Sequence, residues 1–149
     1  MSASRDRDLE RGQSLMETAL VVPFLGMILL GLVEVGRYAH YSIAVANSAR
    51  AGAEYGSLSA ANAANSAGMV SAATNDANVS PVPTATATTF CQCFNGGAST
   101  CATTDCSGTG DHINYYVQVT VTGTYTGLFN YPGLPHTITI SKTAQMQHP

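Results

Sequence analysis

The feature that most constrains this chain is one long apolar run near its N-terminus. No charged residue occurs in the sixteen positions from Thr18 to Val33, and the positions from Leu15 to Gly36 are almost all apolar. A helix needs roughly 20 such residues to cross the hydrocarbon of a bilayer. The run therefore predicts one membrane-spanning helix over residues 13–36, preceded by a polar leader, residues 1–12, and followed by a helical extension, residues 37–56.

The charges beside the run predict its orientation. Three arginines stand before it and two after it: Arg5, Arg7, Arg11, then Arg37 and Arg50. Because positive residues are retained on the cytoplasmic side, the N-terminus is expected in the cytoplasm and the C-terminal part outside it. Tyr38 and Tyr41 follow the run, where interfacial aromatic residues are common. The expected location is the bacterial inner membrane, with the lipid bilayer as a partner.

Two other interpretations of the run are open from sequence alone. It could be a secretory signal cleaved at the small residues Ala44-Val45-Ala46, although thirteen residues of continuing helical pattern, 34–46, lie between Val33 and the cleavage point after Ala46. It could also be a buried helix of a soluble protein. The second interpretation needs a larger core than the remaining hundred or so residues can form.

Composition excludes several classes of function. Only 10% of residues are charged, the net charge is -3, and no basic run follows the first eleven residues, so the chain lacks the electrostatic footprint of a nucleic-acid-binding protein. The four histidines are scattered, and no nucleophile or phosphate-binding glycine loop is recognisable. We therefore expect a protein that is not an enzyme and that uses no cofactor and no metal.

A short motif precedes the apolar run. Gly12 is followed, five positions on, by the carboxylate of Glu17. This arrangement resembles the processing site of type IV prepilins, in which a membrane aspartyl peptidase cuts after the glycine and the glutamate aligns the subunit during assembly. The resemblance implies cleavage between Gly12 and Gln13 and a prepilin peptidase as a partner. The alternative is that Glu17 only marks the cytoplasmic end of the span.

Three segments carry a narrower resemblance: residues 17–23 (ETALVVP), 31–37 (GLVEVGR) and 46–53 (ANSARAGA). Their order and spacing over residues 12–56 resemble TadE-like proteins of the tight-adherence (Flp) pilus system. One departure is Thr18, where Flp-type prepilins often carry tyrosine. The resemblance implies pilin-like or pilus-assembly membrane proteins as partners. It also marks candidate residues for helix packing or assembly: Glu17, Pro23, Glu34, Arg37, Arg50 and Gly52.

The segment from residue 57 to residue 89 carries weaker signals. It is rich in Ala, Ser and Asn, and the alanines predict a second helix over Leu58 to Thr74. Pro81 and Pro83 then break the pattern, because proline lacks a backbone donor and restricts the preceding residue. An extended linker is expected from there to Thr89.

The region from residue 90 to residue 149 begins with a cysteine-rich loop. Its four cysteines lie within sixteen residues of a Gly-, Ser- and Thr-rich stretch: Cys91, Cys93, Cys101 and Cys106. Clusters of even number usually form disulfides in an oxidising compartment. Two pairings are open, because Cys91 can bridge either Cys101 or Cys106 while Cys93 takes the other. A zinc site that includes His112 competes with this prediction, but the spacing matches no common structural zinc motif.

Strict alternation after the loop predicts β-structure. Apolar residues alternate with polar ones from Ile113 to about Thr126, and again around Ile138 and Ile140. Packed on the outer half of the long helix, this antiparallel strand pair gives an α+β fold with a cysteine-stapled loop. We expect a non-catalytic minor pseudopilin or membrane-anchored assembly component of a Flp pilus or related secretion system. The alternative is a membrane-tethered extracytoplasmic binding module that uses its helix only as an anchor.

Overall fold

The computed structural model describes the backbone of residues 3–130, 133 and 135–149, and the side chains of these residues from Leu15 onward. Helix α1 spans Ala3–Ser57. It begins well before residue 13, where the predicted span begins, because residues 3–11 are mostly arginine, leucine, alanine and acidic residues that tolerate a helix. By contact density the chain divides into a first unit, Met1–Arg37, and a second unit, Tyr38–Pro149.

Two short helices follow in the second unit. Helix α2 spans Ala60–Ala64 and helix α3 spans Ser66–Asp76. The single helix predicted over this alanine-rich stretch is divided at Asn65, whose side-chain oxygen accepts a hydrogen bond from the Gly68 backbone N–H at 2.9 Å. A side chain that satisfies the first free donors of a helix fixes the start of α3 there.

A four-stranded antiparallel sheet completes the second unit. Its strands are β1, Thr84–Cys93; β2, Ala98–Ser99; β3, Ile113–Thr126; and β4, Thr137–His148. They lie in the order β2-β1-β3-β4. The predicted β3–β4 pair is present and is extended by β1 and β2, and the predicted α+β class with a cysteine-stapled loop is confirmed.

Strand β1 begins with residues 84–89, which we expected to form an extended linker, and that expectation is wrong. Thr84 pairs with Thr122 and Cys93 with Ile113 in one uninterrupted register. Alternation of alanine and threonine provides small side chains for the core and β-branched side chains for the opposite face, and threonine favours strands. Alanine is too weakly apolar for this alternation to be conspicuous in the sequence.

The core of the second unit lies between α1, α3 and one face of the sheet. From α1 it takes residues spaced by four, Tyr41, Val45, Ala49 and Ala53; from α3 it takes Met69 and Ala73; and from β3 it takes Val117, Val119 and Val121. Spacing by four keeps the α1 residues on one helix face, and period two keeps the β3 valines on one sheet face. The C-terminal part of α1 is therefore an integral part of this unit.

Candidate membrane anchor and assembly face

The apolar run lies on α1 with its side chains exposed. Among the described residues, one helix is long and apolar enough to cross a membrane, and none of its most apolar stretch is buried. Leu20, for example, is 77% exposed. A core helix of a soluble protein would be covered, so this alternative fails. Such exposure in water would be costly at about 25 cal/mol for each Å².

Glu17 lies on α1 at the start of this run and is exposed. Gly12 and Gln13 belong to the same helix, and the structure describes only their backbone. Pro23 lies inside the helix, roughly 1.7 turns after Glu17. The structure therefore places Glu17 on the surface of α1, beside side chains that only a membrane or another helix would cover.

The far end of the run carries an ion pair. Arg37 Nη1 lies 3.9 Å from Glu34 Oε2, and the two residues are three positions apart on α1. The Glu34 side chain is 18% exposed and that of Arg37 is 44% exposed. At this exposure the pair contributes little to stability, on the order of 0–1 kcal/mol. Its importance is positional, since it puts two charges of opposite sign where the apolar run ends.

Arg50 and Gly52 lie further along α1 in different environments. Arg50 is exposed and its Nε donates to Glu54 Oε1 at 2.9 Å. Gly52 is buried, and a Cβ built on it would lie 2.8 Å from the Met69 carbonyl oxygen. Gly52 therefore serves packing within its own chain, whereas Arg50 is available to another molecule.

The exposed side of α1 in the second unit forms a continuous stripe. Its members are spaced by three or four positions: His40, Ile43, Asn47, Arg50 and Glu54. Beside its first half lies an open cavity of about 270 Å³, lined by His40, Ile43, Ala44, Asn47, Asp76 and Asn78. This stripe is the candidate assembly face of the second unit.

A family comparison bears on the same helix. The family model described as TadE-like protein matches residues 12–54. These residues are TadE-like. The resemblance predicted from the sequence is confirmed, and the matched segment contains every candidate assembly residue. No curated protein and no solved structure matches the chain.

The TadE-like match and the exposed apolar helix agree with each other. The match points to a component associated with a Tad pilus, and such components are not known as enzymes. Among the described residues, one N-terminal apolar helix fits a single-pass membrane protein, and the TadE-like match suggests lipid and pilus-assembly proteins as partners.

Tyr41 and Val45 lie on the part of α1 that belongs to the second unit, and they hold this part of the helix against the rest of the unit. The Tyr41 hydroxyl donates to the Pro81 carbonyl oxygen at 3.1 Å, and its ring lies 5.9 Å from that of Tyr125. Burial raises the pKa of the Tyr41 phenol, and a hydrogen bond from the Thr124 backbone opposes this shift. Val45 is completely buried. Cleavage after Ala46 would remove both residues from the core, which argues against a cleaved secretory signal.

The cysteine loop lies outside the TadE-like segment, and its four cysteines form two disulfides. Cys91 is bonded to Cys101 and Cys93 to Cys106, with Cα atoms 5.2 and 5.5 Å apart. One of the two open pairings is thus selected. The candidate metal-binding group among the described residues consists of Cys93, Cys106 and Asp111, whose ligand atoms lie within 4.8 Å of one another. Its two sulfurs are bonded to each other, so they are not available as zinc thiolates, and the zinc alternative is not supported.

Asp105 organises the loop, and sequence reasoning missed it. Its Oδ2 accepts hydrogen bonds from the Thr100 backbone N–H at 2.6 Å and from the Thr100 hydroxyl at 2.7 Å. These bonds from Thr100 lower the pKa of the Asp105 carboxyl. The sequence feature that could have indicated this role is an aspartate five residues after a Ser-Thr pair, because its carboxylate can accept hydrogen bonds that close a turn.

Proposed function

We propose that this protein is a membrane-anchored minor pseudopilin or assembly component of a Tad (Flp) pilus or a related secretion system, and that it acts without catalysis. One observation carries the proposal: the TadE-like match, residues 12–54, falls on the helix whose apolar side chains are exposed. In this proposal residues 1–12 are a leader, residues 13–36 span the inner membrane and residues 37–56 join the span to the outer domain.

Two observations support an N-terminus in the cytoplasm and a C-terminal domain outside it. Arginine is more frequent before the span than directly after it. The two disulfides lie in the C-terminal part, and disulfides persist in oxidising compartments such as the periplasm.

Glu17 is the residue on which assembly depends in this proposal. A carboxylate costs about 2.5–3.5 kcal/mol at the centre of a membrane span and less at its edge, unless it gains a partner. The α-amine freed by cleavage between Gly12 and Gln13, on the same or a neighbouring subunit, would be such a partner. Pairing would favour the assembled state and set the register in which the helix docks.

The other candidate residues have supporting roles. Pro23 bends or loosens α1 within the span, because it removes one backbone donor. The Glu34–Arg37 pair marks the outer boundary of the span, and Arg50 contacts partners from the exposed stripe of α1.

The test of this proposal is a pair of glutamate substitutions on the same helix. Glu17→Ala should abolish co-purification with the pilus-assembly membrane proteins after mild detergent extraction, while the protein stays in the membrane fraction. Glu10→Ala is the matched control, because Glu10 is a glutamate of the leader that cleavage after Gly12 would remove, and it should co-purify like the wild type. Undiminished co-purification of the Glu17→Ala protein would refute the assembly role of this residue.

The alternative function is an extracytoplasmic binding module tethered by the helix. The observation that favours it is Phe94, which is 63% exposed in the stapled loop with its ring stacked 4.8 Å from that of His112. Under this alternative, Glu17→Ala would be silent, whereas Phe94→Ala would abolish attachment of the cells or of the purified protein to its target. The two variants thus separate the two functions.

A further inference from the structure

The connection between β3 and β4 exposes apolar side chains. Leu128 is 56% exposed and Phe129 is 40% exposed. The Gly127 backbone N–H donates to the His136 carbonyl oxygen at 2.9 Å and closes the base of the loop. No Asp, Glu, Lys or Arg occurs between Gly127 and His136. An uncharged loop that presents a leucine and a phenylalanine is unusual in a chain with so polar a second half.

The direction of β3 determines where this loop lies within the second unit. A Cβ built on Gly56 would lie 3.1 Å from Val117, and one built on Gly123 would lie 3.0 Å from the Tyr41 ring. From Gly56 back to Tyr41 the helix advances roughly 22 Å, and from Val117 to Gly123 the strand advances roughly 20 Å. Strand β3 therefore runs antiparallel to α1. Residues of β3 that are closer to the loop lie beside residues of α1 that are closer to Tyr38, where the second unit begins.

The last contact of this series brings the loop close to the membrane boundary. The Tyr125 ring lies 5.6 Å from that of Tyr38 in an edge-to-face arrangement. Tyr38 directly follows Arg37 in the sequence, and Arg37 marks the end of the apolar span. The loop begins two residues after Tyr125. Its nearness to the end of the span follows from the covalent chain and from contacts inside the second unit alone.

We propose that Leu128 and Phe129 insert into the bilayer interface and give the second unit its own contact with lipid. The proposal rests on the proposed membrane anchor and holds for either orientation of the span. Leucine and phenylalanine partition favourably into the headgroup and acyl boundary. Tyr125, two residues before the loop, and Tyr38, against which it packs, are of the residue type that concentrates at that depth. The contact fixes the height and tilt of the second unit against the membrane from which it is assembled.

Phe94 provides a matched control on the same sheet. It is more exposed than Phe129, and its backbone N–H donates to the His112 carbonyl oxygen at 2.9 Å, just before β3 begins. The fourteen residues of β3 separate it from the Phe129 loop, a distance of roughly 45 Å. Exposure alone would favour lipid contact at Phe94, whereas position favours it at Phe129.

The chain has no tryptophan, so a single substitution introduces the only indole. The full-length protein is reconstituted into vesicles of phosphatidylcholine and phosphatidylglycerol whose acyl chains carry bromine. Indole fluorescence is then measured for Phe129→Trp, Leu128→Trp, Phe94→Trp and, within the span, Leu29→Trp. Thermal unfolding of each variant is compared with that of the wild type.

Bromine should quench Phe129→Trp and Leu128→Trp severalfold more than Phe94→Trp, with emission shifted to shorter wavelength. Quenching at Leu29→Trp together with equal, weak quenching at positions 94, 128 and 129 would overturn the inference and leave the anchor intact. Absence of quenching at Leu29→Trp would refute the anchor and the inference together.

Discussion

Gly52 illustrates at the scale of one residue how closely α1 approaches its neighbours. A Cβ at this position would lie 3.0 Å from the Ala73 Cβ and 3.0 Å from Val119 Cγ1, and 2.8 Å from the Met69 carbonyl oxygen. The carbonyl is backbone and cannot move independently. Glycine is therefore required at position 52 of the TadE-like segment because a larger side chain would clash with atoms of the second unit.

Gly52→Ala should therefore destabilise the protein, by about 1–3 kcal/mol, as expected when a packed core is overfilled. The sign is informative, because glycine to alanine in a helix interior ordinarily stabilises by roughly 0.5–1 kcal/mol. Gly97→Ala is the control, since the nearest atom to its added Cβ is the Cys93 Cβ at 3.8 Å, an ordinary contact. Thermal or denaturant unfolding in detergent measures both, and a stabilised Gly52→Ala protein would contradict the packing described.

Tyr41 gives the second unit a dependence on alkaline pH. Burial raises the pKa of its phenol above the unfolded value of about 10. The folded state favours the neutral form, so the stability contributed by this group is complete below that pH and is lost as the pH rises through the raised pKa.

Tyr41→Phe removes this ionisation and also the hydrogen bond to Pro81. The variant should be less stable at neutral pH by about 1 kcal/mol, and its free energy of unfolding should fall less steeply than that of the wild type above about pH 10. Unfolding is followed in detergent across this range. Parallel curves for the two proteins would show that Tyr41 does not titrate as described.

At the scale of elements, β1 shows where the pattern in the sequence was insufficient. The strong alternation of valines predicted β3, because valine contrasts with its polar neighbours. The alternation in β1 is of alanine and threonine, and it follows two prolines, so the sequence pattern indicates a linker. The strand is stabilised by pairing with β3 over ten residues. This pairing joins residues far apart in the sequence, so the local pattern does not reveal it.

The disulfide pairing was undecided for a related reason. Both pairings close loops of similar length, so chain entropy does not separate them. The β1–β2 register does: Cys91 lies opposite Ser99, and Cys101 follows two residues later. The residues of the anchor, in contrast, were predictable, because a span depends on local composition and length alone.

Each disulfide is expected to stabilise the second unit by about 2–4 kcal/mol, since the bridged residues are 10 and 13 positions apart. Cys91→Ser with Cys101→Ser, or Cys93→Ser with Cys106→Ser, should lower the unfolding temperature by comparable amounts. Membrane association should not change, because the anchor lies in the first unit. Unaltered unfolding of both double variants would show that the loop is held without its disulfides.

For the whole molecule, the helix belongs to two environments. Its apolar part lies in the first unit with exposed side chains, and its C-terminal part supplies Tyr41, Val45 and Ala49 to the core of the second. A signal sequence is discarded after export, whereas this helix is needed by the folded domain. We therefore infer that the mature protein retains the helix as its anchor.

The most direct test is the N-terminal sequence and intact mass of the protein extracted from native membranes under non-reducing conditions. We predict a chain that still contains Leu15 to Gly36 and lacks the four thiol hydrogens. A start at Gln13 would further support prepilin-type processing, and a start at Met1 or Ser2 would support an uncleaved assembly component. A mature chain that begins at Asn47 would contradict the claim, because the anchor would have been removed.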